Sequence, residues 1–475
     1  MDTLPLAIRT RGLTRVLGDR TAVSDVDLDI PPGSVFALLG PNGCGKTTTL
    51  RLLLGLLRPT RGRAEVLGHD TVTEGDRIRQ CAGAVLEQGG LYERFTAERN
   101  LDFYGRIWRL PRPEREARIR SLLERFGLYE RRRERVERWS KGMKQELAIA
   151  RALLHEPRVL FLSDGRPGRG RVSAGGVPGH RRSRGHRPGR GRGRRRDRGG
   201  RRGDDVSRGD VSRADPGGEL MRDVGTILLK EFWTRVNDWR GALDLVFKFG
   251  FSAALIGLLG SALVKHPSLE VAQSSLLIML VLAAVIGPWG VLTGAAQLFA
   301  AERDGRTLEA LLATRLRARD IVLGKVVATS VEAVARSCVA VLTLMVVVPA
   351  ASDGRLMIPL LAGAGVVVVS SLLAPAAAAL GAIAGMRART LMHAIRRVIC
   401  LSAALLAVRI TAMLLAPRAF VGPIDWLFRL AQQGRLLPSM LFVAVPALLV
   451  LDVVLITIAV KRFDRDRVLV LSGAS

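Results

Sequence analysis

The sequence is poor in cysteine, and the few cysteines that it has are scattered. Its 475 residues include four cysteines, and no two of them lie close together in the chain. Disulfide frameworks and zinc knuckles need paired or closely spaced cysteines, so this pattern excludes both. Such usage is typical of a reducing cytosol or a membrane. The first residues also lack the apolar core of a signal peptide, so we expect the front of the chain to stay in the cytosol.

Acidic residues are too few to balance the basic ones. The chain has 72 Lys and Arg residues against 43 Asp and Glu, which gives a formal net charge of +29. Such an excess by itself favours nucleic acid or an anionic membrane surface as a partner. Much of it lies in residues 165–203, where 15 residues are Arg, 13 are Gly, and Leu, Ile, Phe and Lys are absent. This segment cannot bury enough apolar area to offset the entropy of ordering, so we expect it to be disordered.

Residues 1–164 show the pattern of an α/β domain. Short apolar runs at residues 34–39 and 158–162 have the length of buried strands. Stretches of helical length lie between such runs, for example residues 113–126. Alternating strands and helices are typical of a mostly parallel sheet, which is our expectation for this domain.

A glycine-rich stretch follows the strand predicted at residues 34–39. It matches the pattern G-x-x-x-x-G-K-[ST], and its members are Gly40, Pro41, Asn42, Gly43, Cys44, Gly45, Lys46, Thr47 and Thr48. Glycines let backbone N–H groups turn towards phosphate oxygens, and the positive end of the following helix adds to the attraction. Lys46 would reach the β- and γ-phosphates, and the Thr47 hydroxyl would bind Mg²⁺. The alternative is a turn that simply joins a strand to a helix, and the complete set of defining residues favours nucleotide binding over it.

Two further motifs indicate the kind of nucleotide-binding domain. Residues 139–146 read Trp-Ser-Lys-Gly-Met-Lys-Gln-Glu, and an apolar run ends at Asp164. They resemble the signature motif and the Walker B strand of ABC transporter ATPases, and the resemblance extends over residues 5–164. It implies that Ser140 and Gly142 contact the γ-phosphate of ATP held by a second subunit, and that Asp164 supports the Mg²⁺ site. The segment 90–101 is similar to the one that faces the membrane domains in that family.

The sequence also departs from the pattern of that family. At the Q-loop position the alignment favours Glu87, with Gln88 beside it, and the choice between them stays open. Leu17 stands at the position of an adenine-stacking aromatic residue, which predicts weak base stacking. The catalytic Glu expected after Asp164 is absent, because the next residue is Gly165. No positioned switch histidine follows, and later strands are missing. We therefore expect a domain truncated after Walker B that binds ATP weakly and hydrolyses it poorly.

The junction at residues 165–220 breaks the pattern abruptly, and we interpret it as a reading-frame slip between an ATPase gene and a permease gene. Arg, Gly and Pro have GC-rich codons, so GC-rich DNA read out of frame tends to encode them. Permease-like sequence resumes at Met221, and the codons of Gly217, Gly218 and Glu219 form a purine-rich run of the kind that precedes bacterial start codons. The alternative is a natural Arg/Gly linker that binds RNA or anionic lipid. RNA-binding segments of this type usually interleave aromatic residues, which this tract lacks, so nucleic acid is disfavoured as a partner.

Residues 221–475 contain six apolar segments long enough to span a membrane. They lie at residues 243–264, 273–300, 326–351, 356–386, 397–416 and 438–460. Basic residues cluster after the second, fourth and sixth segments, so the positive-inside rule predicts that both ends of this region are cytosolic. The amphipathic stretch that begins at Met221 is expected in the membrane interface. The alternative, a large buried core, is disfavoured by the segment lengths.

The loop after the second predicted span carries a recognisable motif. Residues 301–314 resemble the cytosolic loop of type-2 ABC exporter permeases, which forms a coupling helix that docks on the ATPase. Leu308, Leu311 and Leu312 would share one face of a short amphipathic helix, as docking into a groove requires. The alternative is an ordinary solvated loop.

Together these patterns predict an α/β P-loop NTPase of the ABC type without its C-terminal part (residues 1–164), a disordered Arg/Gly-rich junction (165–220) and an all-α six-helix transmembrane permease domain (221–475). The expected function is ATP-driven export of an unidentified substrate across the cytoplasmic membrane, with ATP and Mg²⁺ as cofactors. The alternative is a permease subunit whose degenerate nucleotide domain does not hydrolyse ATP and relies on a separate ATPase. Expected partners are a second copy, another ABC half-transporter or ATPase, membrane lipid, and a transported small molecule or lipid.

Overall fold

The computed structural model covers most of the N-terminal region and the larger part of the C-terminal helices. The residues that it describes are 6–86, 89–163, 169–174, 216–236, 239–264, 269–305, 307–354, 358, 360–387, 393, 396 and 445–463. In chain order the N-terminal elements are β1 (Ile8–Leu17), β2 (Arg20–Ile30), β3 (Ser34–Leu39), α1 (Lys46–Leu53), β4 (Arg61–Val66), β5 (His69–Asp70), α2 (Gly75–Cys81), β6 (Ala82–Val85), α3 (Ala97–Ile107), α4 (Arg112–Arg125), α5 (Lys141–Leu153), β7 (Val159–Ser163) and β8 (Arg169–Ala174).

The first sheet is antiparallel and has the strand order β2-β1-β4-β5. Ile8 of β1 stands opposite Ile30 of β2 on one side and Val66 of β4 on the other, and all three side chains are buried. Two residues join β1 to β2, and strands with so short a connection can only run antiparallel. The prediction of a mostly parallel sheet is therefore wrong for this half of the domain.

The second sheet has the strand order β3-β8-β7-β6. β6 and β7 are parallel, as the α/β pattern predicts, and β8 is antiparallel to both β3 and β7. Because β3 and β7 both run opposite to β8, the C-terminal ends of β3, β7 and β6 lie at one edge of the sheet. The strands predicted at residues 34–39 and 158–162 are confirmed as β3 and β7, and the predicted helix at 113–126 is confirmed as α4.

β8 lies inside the segment for which the sequence predicts disorder. Its residues 169–174 pair with residues 39–34 of β3, so the prediction is wrong for this stretch. Strand pairing uses backbone N–H and C=O groups, which an Arg- and Gly-rich chain supplies as well as any other when a strand edge lies on each side. Residues 175–215 of the predicted junction lie outside the described residues. Within the part of the chain that is described, β3 pairs with β8 alone, so the sheet has a flank without a neighbour there.

The helices of the N-terminal region pack on the sheets around one continuous apolar core. Leu50, Leu52 and Leu53 of α1 are buried in the same cluster as Phe161 of β7. Burying such side chains packs α1, and with it the loop that leads into the helix, against the sheets.

The described residues of the C-terminal region form mainly long helices. They are α6 (Pro216–Val236), α7 (Trp239–Val264), α8 (Leu269–Asp304), α9 (Thr307–Leu312), α10 (Ala318–Ala351), α11 (Leu360–Arg387) and α12 (Val445–Arg462). In the described ranges, three segments are long and apolar enough to cross a membrane, namely Leu282–Arg303, Ala318–Ala351 and Ala362–Met386. These correspond to the second, third and fourth predicted spans.

The other predicted spans have different outcomes. The span predicted at residues 243–264 is a helix, but its apolar part, Val246–Leu259, is shorter than a membrane span. The span predicted at 397–416 lies outside the described residues, and the one at 438–460 is described only from residue 445. The count of six spans therefore stays a prediction.

Close backbone contact holds α8 against α11. A Cβ on Gly381 would lie 2.3 Å from the carbonyl oxygen of Leu292, and one on Gly385 would lie 2.6 Å from that of Ala296. Small residues at this spacing let two helix backbones touch. Membrane helices commonly associate in this way, because lipid provides no hydrophobic driving force between helices. The C-terminal end of α8, from which α9 follows, is thereby fixed in place.

The helix predicted from Met221 is confirmed as α6, and it begins earlier, at Pro216, inside the predicted junction. It packs on the N-terminal region. The Arg99 guanidinium lies 4.1 Å from the ring centroid of Trp233, and Arg109 forms an ion pair of 3.1 Å with Asp223. The amphipathic pattern did not reveal these contacts with the N-terminal region. The placement of α6 in a membrane interface stays a prediction.

Candidate functional site

The glycine-rich stretch forms one loop that leaves β3 at Leu39 and enters α1 at Lys46. Gly43 and Gly45 have φ angles of 82° and 92°, in the left-handed region that favours glycine. A Cβ on Gly45 would also lie 2.1 Å from the carbonyl oxygen of Ala22, so space as well as conformation requires glycine here. Residues 41–44, which include Pro41, Asn42 and Cys44, are exposed, and residues 45–48 are half-buried.

The ammonium group of Lys46 lies within this loop. Its Nζ donates to the carbonyl oxygens of Gly40 and Pro41, each at 2.7 Å. The Arg20 guanidinium brings a second positive charge by donating to the carbonyl oxygen of Gly43 at 2.9 Å. The first turn of α1 carries no acidic residue and presents the positive end of the helix dipole. Two cations and a helix N-terminus at one loop make an environment that attracts an anion such as phosphate.

Thr47 and Thr48 are the second and third residues of α1. A hydroxyl oxygen is a hard ligand of the type that Mg²⁺ prefers, and Mg²⁺ is usually held by one or two protein groups together with phosphates and water. Among the described residues no cluster of three or more His, Cys, Asp or Glu side chains occurs. The donor set at this loop therefore fits a Mg²⁺ ion bound with a nucleotide and does not fit a metal site made of protein alone.

The remaining predicted nucleotide and metal residues follow the strands that end at the same sheet edge. Asp164 comes directly after β7, and Glu87 and Gln88 come shortly after β6. The glycine-rich loop of residues 40–48, called the phosphate loop below, follows β3 at this edge. Asp164, Glu87 and Gln88 lie outside the described residues, so their roles stay predictions.

The predicted signature residues stand at the start of α5. Ser140 is the N-cap of the helix, and its Oγ accepts a hydrogen bond from the backbone N–H of Met143 at 3.3 Å. Ser140 and Gly142 are both exposed. A Cβ on Gly142 would have only the Ser140 Oγ within 4 Å, at 3.9 Å. The start of α5 is thus open to contact from outside this part of the chain.

The loop expected to form a coupling helix is the helix α9, and it is docked on the N-terminal region. Leu308, Leu311 and Leu312 are buried in the apolar cluster that also contains the core around α1. Gly90 has a φ angle of 58°, and a Cβ on it would lie 2.0 Å from the Cβ of Ala310. The predicted apolar face is therefore confirmed, and the segment 90–101 meets the C-terminal helices as its resemblance implied.

An ion pair joins α9 to the helix that follows the phosphate loop. The Nε of Arg51 donates to Oε1 of Glu309 at 2.6 Å, and the two side chains are only 13% and 15% exposed. Sequence reasoning missed this contact, because 258 positions separate the two residues and neither stands in a recognisable motif with the other.

A second feature that the sequence did not reveal is a buried lysine–glutamate cluster made of Lys230, Glu231, Glu302 and Lys325. The Lys230 Nζ lies 2.7 Å from Glu231 and also contacts Glu302, and the Lys325 Nζ lies 3.0 Å from Glu302 and 3.2 Å from Glu231. Burial alone would lower the pKa of Lys230, but the carboxylates of Glu231 and Glu302 raise it above its usual value. The Lys230 Nζ also lies 4.8 Å from the ring centroid of Tyr92. The cluster ties α6, α8 and α10 together and touches the N-terminal region.

The N-terminal region is similar to known proteins. Residues 23–164 match the family model described as ABC transporter. The chain is 44% identical over 144 residues to the ABC transporter ATP-binding protein NatA of Bacillus subtilis (strain 168), which covers 30% of this chain and 58% of NatA. It is 41% identical over 158 residues to the daunorubicin resistance ATP-binding protein DrrA3 of Streptomyces coeruleorubidus, which covers 33% of this chain and 50% of DrrA3. The solved structure of cbiO1 from Clostridium perfringens, part of the ABC transporter complex cbiONQ, is 27% identical with a TM-score of 0.31, over 33% of this chain and 65% of that chain.

The family match and the geometry concern the same residues. The matched range contains the phosphate loop and the start of α5, and it ends at Asp164. The chain spans about half the length of the curated relatives that it matches. Residues 23–164 of this chain are therefore an ABC transporter ATP-binding domain.

Proposed function

We propose that this chain is a subunit of an exporter in which ATP binding at the phosphate loop drives movement of the membrane helices. The observation that carries the proposal is the docking of α9, whose apolar side chains are buried in the core of the ATP-binding domain. α9 follows α8, which contains the apolar segment Leu282–Arg303. A membrane helix joined in this way to a nucleotide-binding domain can transmit domain closure to the membrane.

ATP binding would use residues 40–48 of one subunit and the start of α5 of a second subunit. Lys46 would turn from the loop carbonyls to the phosphates, which offer a stronger, charge-assisted interaction. The exposure of Ser140 and Gly142 suits contact with a nucleotide held by another chain. Mg²⁺, held by Thr47 and Asp164, would neutralise phosphate charge. Glu87 or Gln88 would sense the bound nucleotide.

The proposed location is the cytoplasmic membrane, crossed several times, with the ATP-binding domain on the cytoplasmic side. Three apolar helical segments of spanning length support it. Export as the direction draws support from the relative DrrA3, whose name refers to daunorubicin resistance. On the described parts of the membrane helices, no side-chain constellation selects a chemical class of substrate.

A second candidate is a subunit that binds nucleotide without hydrolysing it and relies on a separate, intact ATPase. Gly165 follows Asp164 where a catalytic Glu is expected. In addition, Val35 and Leu39 of β3 are 72% and 67% exposed, although the strands of an α/β sheet are normally covered on both faces. Both features favour a domain that lacks the part needed for hydrolysis.

The exchange of Lys46 for alanine tests the proposed ATP site. Binding of a fluorescent ATP analogue to the full chain in detergent should weaken by about 10- to 150-fold, because a hydrogen bond to a charged group contributes roughly 1.5–3 kcal/mol. The matched control is Arg77→Ala, which removes a cation from an exposed surface pair with Glu74. Unchanged affinity of Lys46→Ala would refute the proposed site.

ATP turnover by the same preparations separates the two candidates. Phosphate release above the Lys46→Ala background supports an active ATPase. ATP binding without such release supports the subunit that relies on a separate ATPase.

A further inference from the structure

Arg51 lies on the helix that begins at the phosphate loop. It stands five positions after Lys46, which at 1.5 Å per residue places it roughly 7.5 Å further along α1. The buried side chains of Leu50, Leu52 and Leu53 flank Arg51 and hold the helix in the core. A displacement of the phosphate loop must therefore move Arg51 with it, since a helix of this length behaves as a rigid rod.

The partner of Arg51 lies on α9. The short distance of 2.6 Å and the low exposure of both side chains distinguish this ion pair from the surface pairs of the domain, such as Arg112 with Glu116, whose side chains are 81% and 61% exposed. Exposed pairs contribute little, whereas removing one member of a desolvated pair leaves a charge without compensation. The contact between Arg51 and Glu309 is thus sensitive to small changes in position.

The other described residues of α9 are held by close packing. Leu308, Leu311 and Leu312 are buried, and Ala310 lies against the backbone of Gly90. Glu309 is the residue of α9 that meets α1 through a charged group. The pair with Arg51 therefore connects this helix directly to the element that carries Lys46.

We propose that Arg51 is a positioning residue that makes the docking of α9 depend on nucleotide. Binding of the nucleotide phosphates at Lys46 shifts α1, and Arg51 passes the shift to Glu309 and so to the end of α8. The proposal rests on the proposed function, because it requires ATP to bind at the phosphate loop. By thermodynamic reciprocity, ATP changes the docking equilibrium of α9 by the same factor by which docking changes ATP affinity.

The experiment measures how fast a cysteine beside α9 reacts with a maleimide. Ala313→Cys places the thiol at a buried position directly after α9, so the reaction reports undocking. The parent for this assay is the full chain in which the four native cysteines, Cys44, Cys81, Cys338 and Cys400, are replaced by alanine. Its ATP affinity is first compared with that of the unmodified chain. In this parent carrying Ala313→Cys, ATP should change the rate of maleimide labelling by about 5-fold or more.

Two variants distinguish the inference from a merely structural role. Arg51→Gln should abolish the response to ATP, so that labelling rates with and without ATP become equal, and the double exchange Arg51→Glu with Glu309→Arg should restore it. Arg109→Gln is the matched control, because Arg109 forms an ion pair with Asp223 at the same domain boundary but does not lie on α1. It should change the basal rate at most and keep the response to ATP.

Each other outcome overturns a defined claim. A response to ATP that survives in Arg51→Gln, or a parent that binds ATP without any change in labelling, overturns the role of Arg51 and leaves the ATP site intact. A loss in Arg51→Gln that the charge exchange fails to restore overturns the ion pair as its basis. Failure of the unmodified chain to bind ATP overturns the proposed function itself, together with this inference.

Discussion

Replacing Gly90 with alanine should loosen the docking of α9 on the ATP-binding domain. The added Cβ would lie 2.0 Å from the Cβ of Ala310, whereas apolar carbon atoms prefer a separation of about 3.5–4.0 Å. α9 must therefore withdraw by about 1.5–2 Å or leave its site. Overpacking of this kind costs roughly 1–3 kcal/mol. The equilibrium constant for docking of α9 should therefore fall by about 5- to 150-fold.

A backbone effect accompanies the new contact and needs a separate control. Gly90 has a φ angle of 58°, which costs alanine roughly 1–2 kcal/mol wherever it occurs. Gly127 has a similar φ angle of 67°, and a Cβ on it would have nothing within 4 Å. Gly127→Ala thus introduces the same backbone cost without the contact with α9. The difference between the two variants isolates the effect on docking.

Hydrogen–deuterium exchange of peptides covering residues 302–314 in the full chain measures this docking. Gly90→Ala should accelerate exchange in α9 by the factor given above, and Gly127→Ala should leave it at the level of the unmodified chain. Adding Ala310→Gly to Gly90→Ala removes the opposing Cβ and should restore protection. Equal exchange in the two single variants, or no rescue by Ala310→Gly, would refute the view that Ala310 docks on the Gly90 backbone.

Two further predictions concern buried titratable groups. Lys230→Met should strongly destabilise the contact of α6 with α8, by roughly 3–5 kcal/mol, because it leaves an excess negative charge in the lysine–glutamate cluster, and the double variant Lys230→Met with Glu302→Gln should recover much of the loss. Heat-induced aggregation of the detergent-solubilised chain compares the two, and equal destabilisation by both would contradict the charge-balance argument. His155 stacks on Trp108 at a ring distance of 3.6 Å, and burial lowers its pKa from 6.5 to about 4. Its neutral form is favoured by folding, so its contribution is complete above pH 6.5 and is lost as the pH falls towards 4, by about 2 kcal/mol between pH 7 and pH 5. Urea unfolding, followed by hydrogen exchange in β6, should show this loss of stability between pH 7 and pH 5 in the unmodified chain and a smaller loss in His155→Phe. Identical pH profiles of stability for the two chains would rule out the contribution of His155.

The conformation of the glycine-rich loop could be predicted from the sequence because its requirements are local. Gly43 and Gly45 adopt left-handed backbone angles, and Lys46 opens a helix, all within a few consecutive residues. The apolar face of α9 was predictable for the same reason, since the spacing of Leu308, Leu311 and Leu312 repeats at the period of a helix. A pattern of this kind states which conformation a segment adopts and which face it buries.

The strand pairing could be predicted only in part. The parallel pair of β6 and β7 follows from the α/β pattern, but β8 does not, because an Arg- and Gly-rich segment carries no apolar period. Its pairing depends on the two strand edges that β3 and β7 present, and these edges exist only once the rest of the sheet has formed. The hypothesis of a reading-frame slip stays a prediction, to be tested by resequencing the DNA that encodes residues 160–225.

By itself, the sequence determined that a glycine-rich loop, a short helix with an apolar face and long apolar helices occur in one chain, because each is encoded by neighbouring residues. Only the tertiary structure decided which charges meet. Arg51 and Glu309 are separated by 258 positions, and Lys230 and Glu302 by 72. A charged side chain pairs with whichever opposite charge the folded backbone brings within about 4 Å, and that distance is a property of the packing of α1, α6, α8 and α9 against one another.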